Sequence, residues 1–171
     1  LKSLDGEGGA DLLARAQELG LSTSLDVKGL GRNNELLETM LPHVDLFMPN
    51  IDEVADLIGL TDLHEIRAHY EKLGVGTLCV KMAERGVYIT DFNEEVLLPT
   101  LARQEEIVDV MGAGDAFCAG FISARLAGMP MKLCGTFASL ASKRALVTAG
   151  ASAWNASLES LAEEAQRILA E

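Results

Sequence analysis

Basic residues are scarce in this chain: 14 Lys plus Arg stand against 26 Asp plus Glu over 171 residues, a formal net charge of -12. A field of that sign repels phosphodiester backbones and anionic membrane surfaces, which argues against a nucleic-acid partner. It is no bar to a nucleotide, because backbone N–H groups and metal ions can hold a phosphate locally even on an acidic protein. Cysteines are few and far apart. Of Cys79, Cys118 and Cys134, two sit in apolar stretches where a thiol behaves as a small hydrophobe, so a reduced, cytoplasmic setting is expected. Apolar runs long enough to span a bilayer are lacking, and Leu1 to Gly6 have no signal-peptide layout. An initiating Met is also lacking, which carries the expectation that the chain begins mid-protein.

What is present is the composition of a soluble domain, with 49% apolar side chains, enough for one core and for one domain or a large piece of one. Leu12, Leu13, Ala16 and Leu19 recur at helical spacing over residues 10–19, and Gly20 ends that helix. Strands are expected at 22–27, 44–48 and 77–82, and helices at 35–41, from Asn50 to about Ile58, and at 61–73. This alternation predicts a parallel sheet with helices on its faces. Residues 86–91 and 94–98 read as an antiparallel hairpin around Asp91, Phe92 and Asn93. Small-residue-rich helices at 114–126 and 130–147 follow, with a closing amphipathic helix at 158–169.

The chemistry concentrates in Ile107-Val108-Asp109-Val110-Met111-Gly112-Ala113-Gly114-Asp115-Ala116-Phe117, read as a strand end, a small-residue turn and a helix start. Such a turn leaves unpaired N–H groups at the positive end of a helix dipole, which suits a transferring phosphoryl group. Side chains at Gly112 and Gly114 would block the approach of phosphate oxygens. An aspartate on the first helical turn, Asp115, could then take the proton of an attacking hydroxyl. The spacing excludes the Gly-x-x-x-x-Gly-Lys-Ser/Thr loop and the three-glycine dinucleotide fingerprint. A plain tight turn with Asp115 as an N-cap fits the same residues, and the chemistry alone does not choose between the two.

The run from Asp109 to Phe117, followed by Ala119-Gly120-Phe121, resembles the C-terminal signature of the ribokinase-like (PfkB) carbohydrate kinases. The resemblance implies Asp115 as catalytic base, the backbone of Gly112, Ala113 and Gly114 as an anion hole for the γ-phosphate, and Asp109 as a ligand to a monovalent cation such as K⁺. Met48-Pro49-Asn50-Ile51-Asp52-Glu53 is similar to the family's Asn-x-x-Glu element, which organises Mg²⁺ and phosphates; a helix N-cap with a first-turn acid predicts the same residue types. Lys81 to Gly86 sits where the family lines the nucleotide, with Gly86 matching and Ala83 standing where glycine is usual. Lys81 reads either as a phosphate ligand or as a strand-end lysine facing solvent. Residues 138–151 resemble the helix and loop over the purine, with Ser139 and Ser142 as nucleotide contacts, although small residues there equally serve close helix packing. Leu4-Asp5-Gly6 and Ser24-Leu25-Asp26 look like the middle of such a kinase, so a sugar-holding N-terminal half is expected to be absent.

The expectation is therefore a three-layer α/β/α sandwich with a mainly parallel central sheet, in which residues 1–171 form the C-terminal nucleotide-binding and catalytic portion. The implied activity is ATP-dependent phosphorylation of a sugar hydroxyl with Mg²⁺. Alternatives are a nucleoside or phosphosugar kinase of the same fold, or a non-catalytic nucleotide-binding or assembly remnant. A small-molecule acceptor is the expected partner, and apolar surface left exposed predicts self-association, a homodimer in its simplest form. His43, His64 and His69 lack metal-site spacing and read as solvated surface; Trp154 and Asn155 read as a packed loop anchor, and Glu105-Glu106 as the solvated start of a strand.

Overall fold

Apolar residues at helical spacing and short apolar runs between them fold here into two compact units, residues 1–81 with 88–95, and residues 82–87 with 96–171. The computed structural model describes residues 8–27, 34–151 and 153–170; the Leu4-Asp5-Gly6 match lies outside them.

In the first unit the order is α1 (Gly8–Glu18), β1 (Ser24–Leu25), α2 (Asn34–Met40), β2 (Leu46–Phe47), α3 (Ile51–Ile58), α4 (Leu63–Lys72) and β3 (Leu78–Lys81). β1 pairs β2 and β2 pairs β3, both parallel, with Leu25 opposite Phe47 and Phe47 opposite Leu78. The regular strands are shorter than the apolar runs that specify them, but the ladder continues past their ends. Met48 N–H donates to Leu25 O at 3.0 Å, Gly76 N–H to Val44 O at 3.1 Å and Lys81 N–H to Pro49 O at 2.9 Å. Leu46, Phe47, Met48, Leu78 and Val80 are all buried, as expected of parallel strands covered on both faces. Each such side chain contributes roughly 1.5–3 kcal/mol of burial.

Helix ends follow their capping chemistry. Asp62 accepts the N–H of His64 and Glu65 as the N-cap of α4, which begins at Leu63, two residues after the predicted Thr61. One expectation is corrected on α4: His64 is exposed, but His69 is half-buried, its Nε2 buried without a hydrogen-bond partner and its ring edge-on to Tyr70. His69 directly precedes Tyr70, whose ring is fully buried against Phe47, and the contact of the two rings covers part of the histidine. His43 is half-buried too, its Nδ1 3.2 Å from Gln17 Oε1.

The sheet order is β1-β2-β3-β4-β5, with β4 (Val87–Thr90) and β5 (Glu95–Leu98) joined by a turn at residues 91–94, one residue longer than the predicted Asp91-Phe92-Asn93. In the second unit α5 (Ala113–Leu126) packs on α6 (Met131–Leu146), and α6 on α7 (Leu158–Ala170). A Cβ on Gly120 would lie 3.0 Å from both Ala138 Cα and Ala141 Cβ, so the small residues of α5 and α6 serve close helix packing. Two expectations fail in this unit. Residues 107–110 form no strand: Val108 and Asp109 donate their N–H groups to Leu146 O at the end of α6, and Val108 and Val110 face outward at 63% and 72% exposure. Glu106 does not start a strand either; it ends a 3-10 turn (Gln104–Glu106), accepts Arg103 N–H at 3.0 Å and pairs with Lys143 at 3.3 Å.

Candidate active site

Parallel strands deliver their carboxyl ends to one edge of a sheet, and that edge is where open α/β proteins bind ligands. In the first unit it carries Asp26 just beyond β1, Asn50 beyond β2 and Lys81 at the end of β3, with Asn50 bridging to Lys81 in parallel register. Asn50 and Glu53 form a reciprocal capping box: Glu53 N–H donates to Asn50 Oδ1 at 2.8 Å and Asn50 N–H to Glu53 Oε2 at 2.7 Å. Both side chains therefore have a structural task, as the simpler reading of this element predicted. The cap engages one carboxylate oxygen, Oε2. Lys81 does not stand free in solvent but is held in an ion pair. Its ammonium lies 3.0 Å from Asp26 Oδ1, with 15% of the lysine side chain and 20% of the aspartate exposed.

In the second unit the predicted small-residue turn leads into a helix, although residues 107–110 before it form no strand. Gly112 is the N-cap of α5 at φ +80°, a left-handed conformation that glycine adopts without a steric penalty. The intrahelical ladder opens with Ala116 N–H donating to Gly112 O at 2.8 Å, so the amides of Ala113, Gly114 and Asp115 precede it at the positive end of the helix. Asp115 lies on this first turn with its side chain exposed, one residue before the buried Ala116 and Phe117 that anchor the helix. It is not the N-cap, a position that Gly112 fills.

Asp109 clamps the turn. Oδ1 accepts Met111 N–H at 2.9 Å and Oδ2 accepts Gly150 N–H at 3.0 Å. Those backbone donors, Met111 first and Gly150 second, hold its carboxyl below the usual carboxylate range. Among the described residues no group of three His, Cys, Asp or Glu side chains could hold a metal ion.

The remaining candidates are spread over the second unit. Ala83 sits in a 3-10 turn (Ala83–Arg85) at φ +50°, which explains why glycine suits this position. Gly86 is held at φ +87° where an added Cβ would fall 1.9 Å from Leu98 O. Ser139 donates its hydroxyl to Gly135 O at 2.8 Å, within its own helix, and Ser142 is half-buried one turn further along α6. Sequence reasoning missed the role of Asp26 as the partner of Lys81, because the two are 55 residues apart and only the strand order brings them together. It also missed Gly150 and Ala151 as the residues that meet Asp109 and Gly112 at the turn before α5.

A parallel sheet edge with polar groups at its carboxyl ends, and a glycine-capped helix start carrying an exposed carboxylate, are features of α/β proteins that handle phosphates. The sequence pattern of the pfkB family carbohydrate kinases matches residues 3–157, and the chain belongs to that family. It is 29% identical over 142 residues to a ribokinase of Arabidopsis thaliana, covering 79% of this chain and 36% of that protein. Over 105 residues it is 30% identical to a cytidine kinase of Thermococcus kodakarensis, covering 60% and 37%. The solved structure of Arabidopsis thaliana ribokinase complexed with ribose and ATP superposes with a TM-score of 0.79 at 24% identity, covering 92% of this chain and 51% of that one. The fold is thus ribokinase-like, as the sequence predicted, and the chain spans about a third to a half of the length of these relatives.

Proposed function

We propose that this chain carries the nucleotide-binding and phosphate-transferring part of an ATP-dependent kinase whose acceptor is an alcohol hydroxyl of a sugar. The observation that carries this reading is the start of α5. There an exposed carboxylate, Asp115, shares a first turn with the amides of Gly114 and Asp115, which precede the helical ladder, and of Ala113, which donates to Val110 O at 3.4 Å, behind a left-handed Gly112. Asp115 takes the proton of the acceptor hydroxyl as its oxygen bonds to the γ-phosphorus and the bond to the ADP oxygen breaks. The Gly112, Ala113 and Gly114 backbone donates to the phosphoryl oxygens on which charge collects.

Magnesium would arrive with ATP, where it neutralises phosphate charge. Glu53 fits a contact through water, because a hard carboxylate oxygen suits Mg²⁺. Asn50 supports the same turn. Nucleotide contacts are assigned to Lys81, Ala83, Gly86, Ser139 and Ser142. A monovalent cation at Asp109 would share a carboxylate that already accepts two backbone N–H groups, and the dependence of turnover on potassium tests it.

A nucleoside acceptor is the second reading, favoured by the likeness to a cytidine kinase. A screen of sugars and nucleosides with labelled MgATP separates the two. Asp115→Asn keeps the shape and removes the base, so it abolishes transfer and leaves ATP affinity intact; retained transfer would refute the assignment.

A further inference from the structure

The segment before α5 is tied to the far end of α6 and the loop beyond it at several points. Val108 and Asp109 donate their N–H groups to Leu146 O at 2.8 and 3.2 Å. The Asp109 carboxylate spans from Met111 N–H to Gly150 N–H, reaching 41 residues along the chain. Gly112 lies so close to Ala151 that an added Cβ would sit 2.8 Å from the Cβ of that alanine. Apolar packing does little to fix this turn, since Val110 and Met111 are 72% and 66% exposed. Hydrogen bonds hold it, and the Asp109 side chain supplies two of them.

Resting on the kinase reading above, we propose that Asp109 is a positioning residue, whose carboxylate latches loop 147–151 to the turn before α5 and so keeps the first-turn amides aimed at the γ-phosphate. Fixed donors stabilise developing charge only when they are aimed before the reaction begins. A carboxylate accepts at both oxygens, whereas an asparagine accepts at one and presents a donor at the other. Asp109→Asn therefore keeps half of the latch and Asp109→Ala none.

The test compares wild type with both variants in tetramethylammonium buffer, so that no small monovalent cation contributes. Calorimetry gives the affinities for MgATP and MgADP, whose ratio isolates the γ-phosphate. Acrylamide quenching of Trp154, the single tryptophan, reports on the loop without any ligand; Ala153 N–H donates to Gly150 O at 3.2 Å, which couples Trp154 to the latched segment. In Asp109→Ala the preference for ATP over ADP should fall about tenfold, the loss expected for disturbed charge-assisted hydrogen bonds. ADP affinity should hold, Trp154 should quench more readily, and Asp109→Asn should lie between. An unchanged ATP preference in Asp109→Ala overturns the proposal, and so does unchanged quenching. Should Asp109→Ala fail to fold, Asp109→Asn carries the same comparison. A wild-type chain that binds neither nucleotide refutes the kinase reading and the positioning role with it, while quenching still reports whether the latch itself exists.

Discussion

Lys81 Nζ and Asp26 Oδ1 meet at 3.0 Å and join the carboxyl ends of β3 and β1 across the intervening β2. The pair neutralises the one lysine that the sequence offered as a phosphate ligand at this edge. Removing one partner of a largely buried pair strands the other charge away from water and costs about 3 kcal/mol. Asp26→Asn and Lys81→Met should each lower stability to urea by roughly 2–3 kcal/mol, with the double variant recovering part of the loss. A coupling energy of about 1 kcal/mol or more is expected from the cycle. Strictly additive losses would show that the contact contributes nothing.

Ala83 carries a side chain at φ +50°, where an L-residue is strained by roughly 1–2 kcal/mol. Glycine removes that strain but enters with a larger entropy loss of roughly 0.5–1 kcal/mol. Ala83→Gly should therefore raise the melting temperature slightly, by the equivalent of about 0.5 kcal/mol. A lower melting temperature would mean that the alanine methyl is stabilising in this turn.

Gly112→Ala combines a left-handed backbone with a Cβ placed 2.8 Å from Ala151 Cβ and 3.0 Å from Ala151 O. The turn must shift to admit it, which costs about 1–3 kcal/mol of stability. Because the shift occurs at the proposed anion hole, MgATP affinity should fall more than MgADP affinity. Equal affinities for both nucleotides in the variant and wild type would remove the turn from the phosphate site.

Both tyrosines of the chain are buried, and burial raises their phenols. Tyr88 is pushed up to about 12, by burial first and then by its hydrogen bond to Glu95; Tyr70 is raised by burial and by the charge of Glu38. An unfolded tyrosine titrates near 10. The folded-state values lie above the unfolded one, so the stability held in the neutral phenols is complete below pH of about 10 and drains away as pH climbs toward about 12. Phenolate absorbance should be missing from the folded chain at pH 10.5 (roughly the ordinary half-titration range) and appear there once urea unfolds it. Half-ionised tyrosine in the folded chain at that pH would contradict the packing around these rings.

The helices were legible because their signals are local. Asn50 and Asp62 cap α3 and α4 as their side chains allow, and apolar spacing gives the buried faces of α3, α5 and α7. Strand lengths were less legible, since β1 and β2 are two residues each, with ladder bonds continuing from irregular backbone. Residues 107–110 misled for a physical reason. Ile107, Val108 and Val110 have the content of a strand, but the amides at 108 and 109 are taken by Leu146 O, and two of the three side chains point to solvent. Within the site, spacing gave the small-residue turn at Gly112 to Gly114 but left Asp115 open between the N-cap and the first helical turn, a choice the local pattern does not make. The partners of Lys81 and Asp109 could not, because tertiary contact over 55 and 41 residues leaves no periodic trace.

The most direct test measures phosphoryl transfer by Asp115→Asn beside its calorimetric affinity for MgATP, using the acceptor found in a screen of sugars and nucleosides. If Asp115 is the base at the start of α5, the variant binds MgATP as wild type does and transfers phosphate slower by roughly 10²–10⁴-fold. Transfer at the wild-type rate would contradict the account.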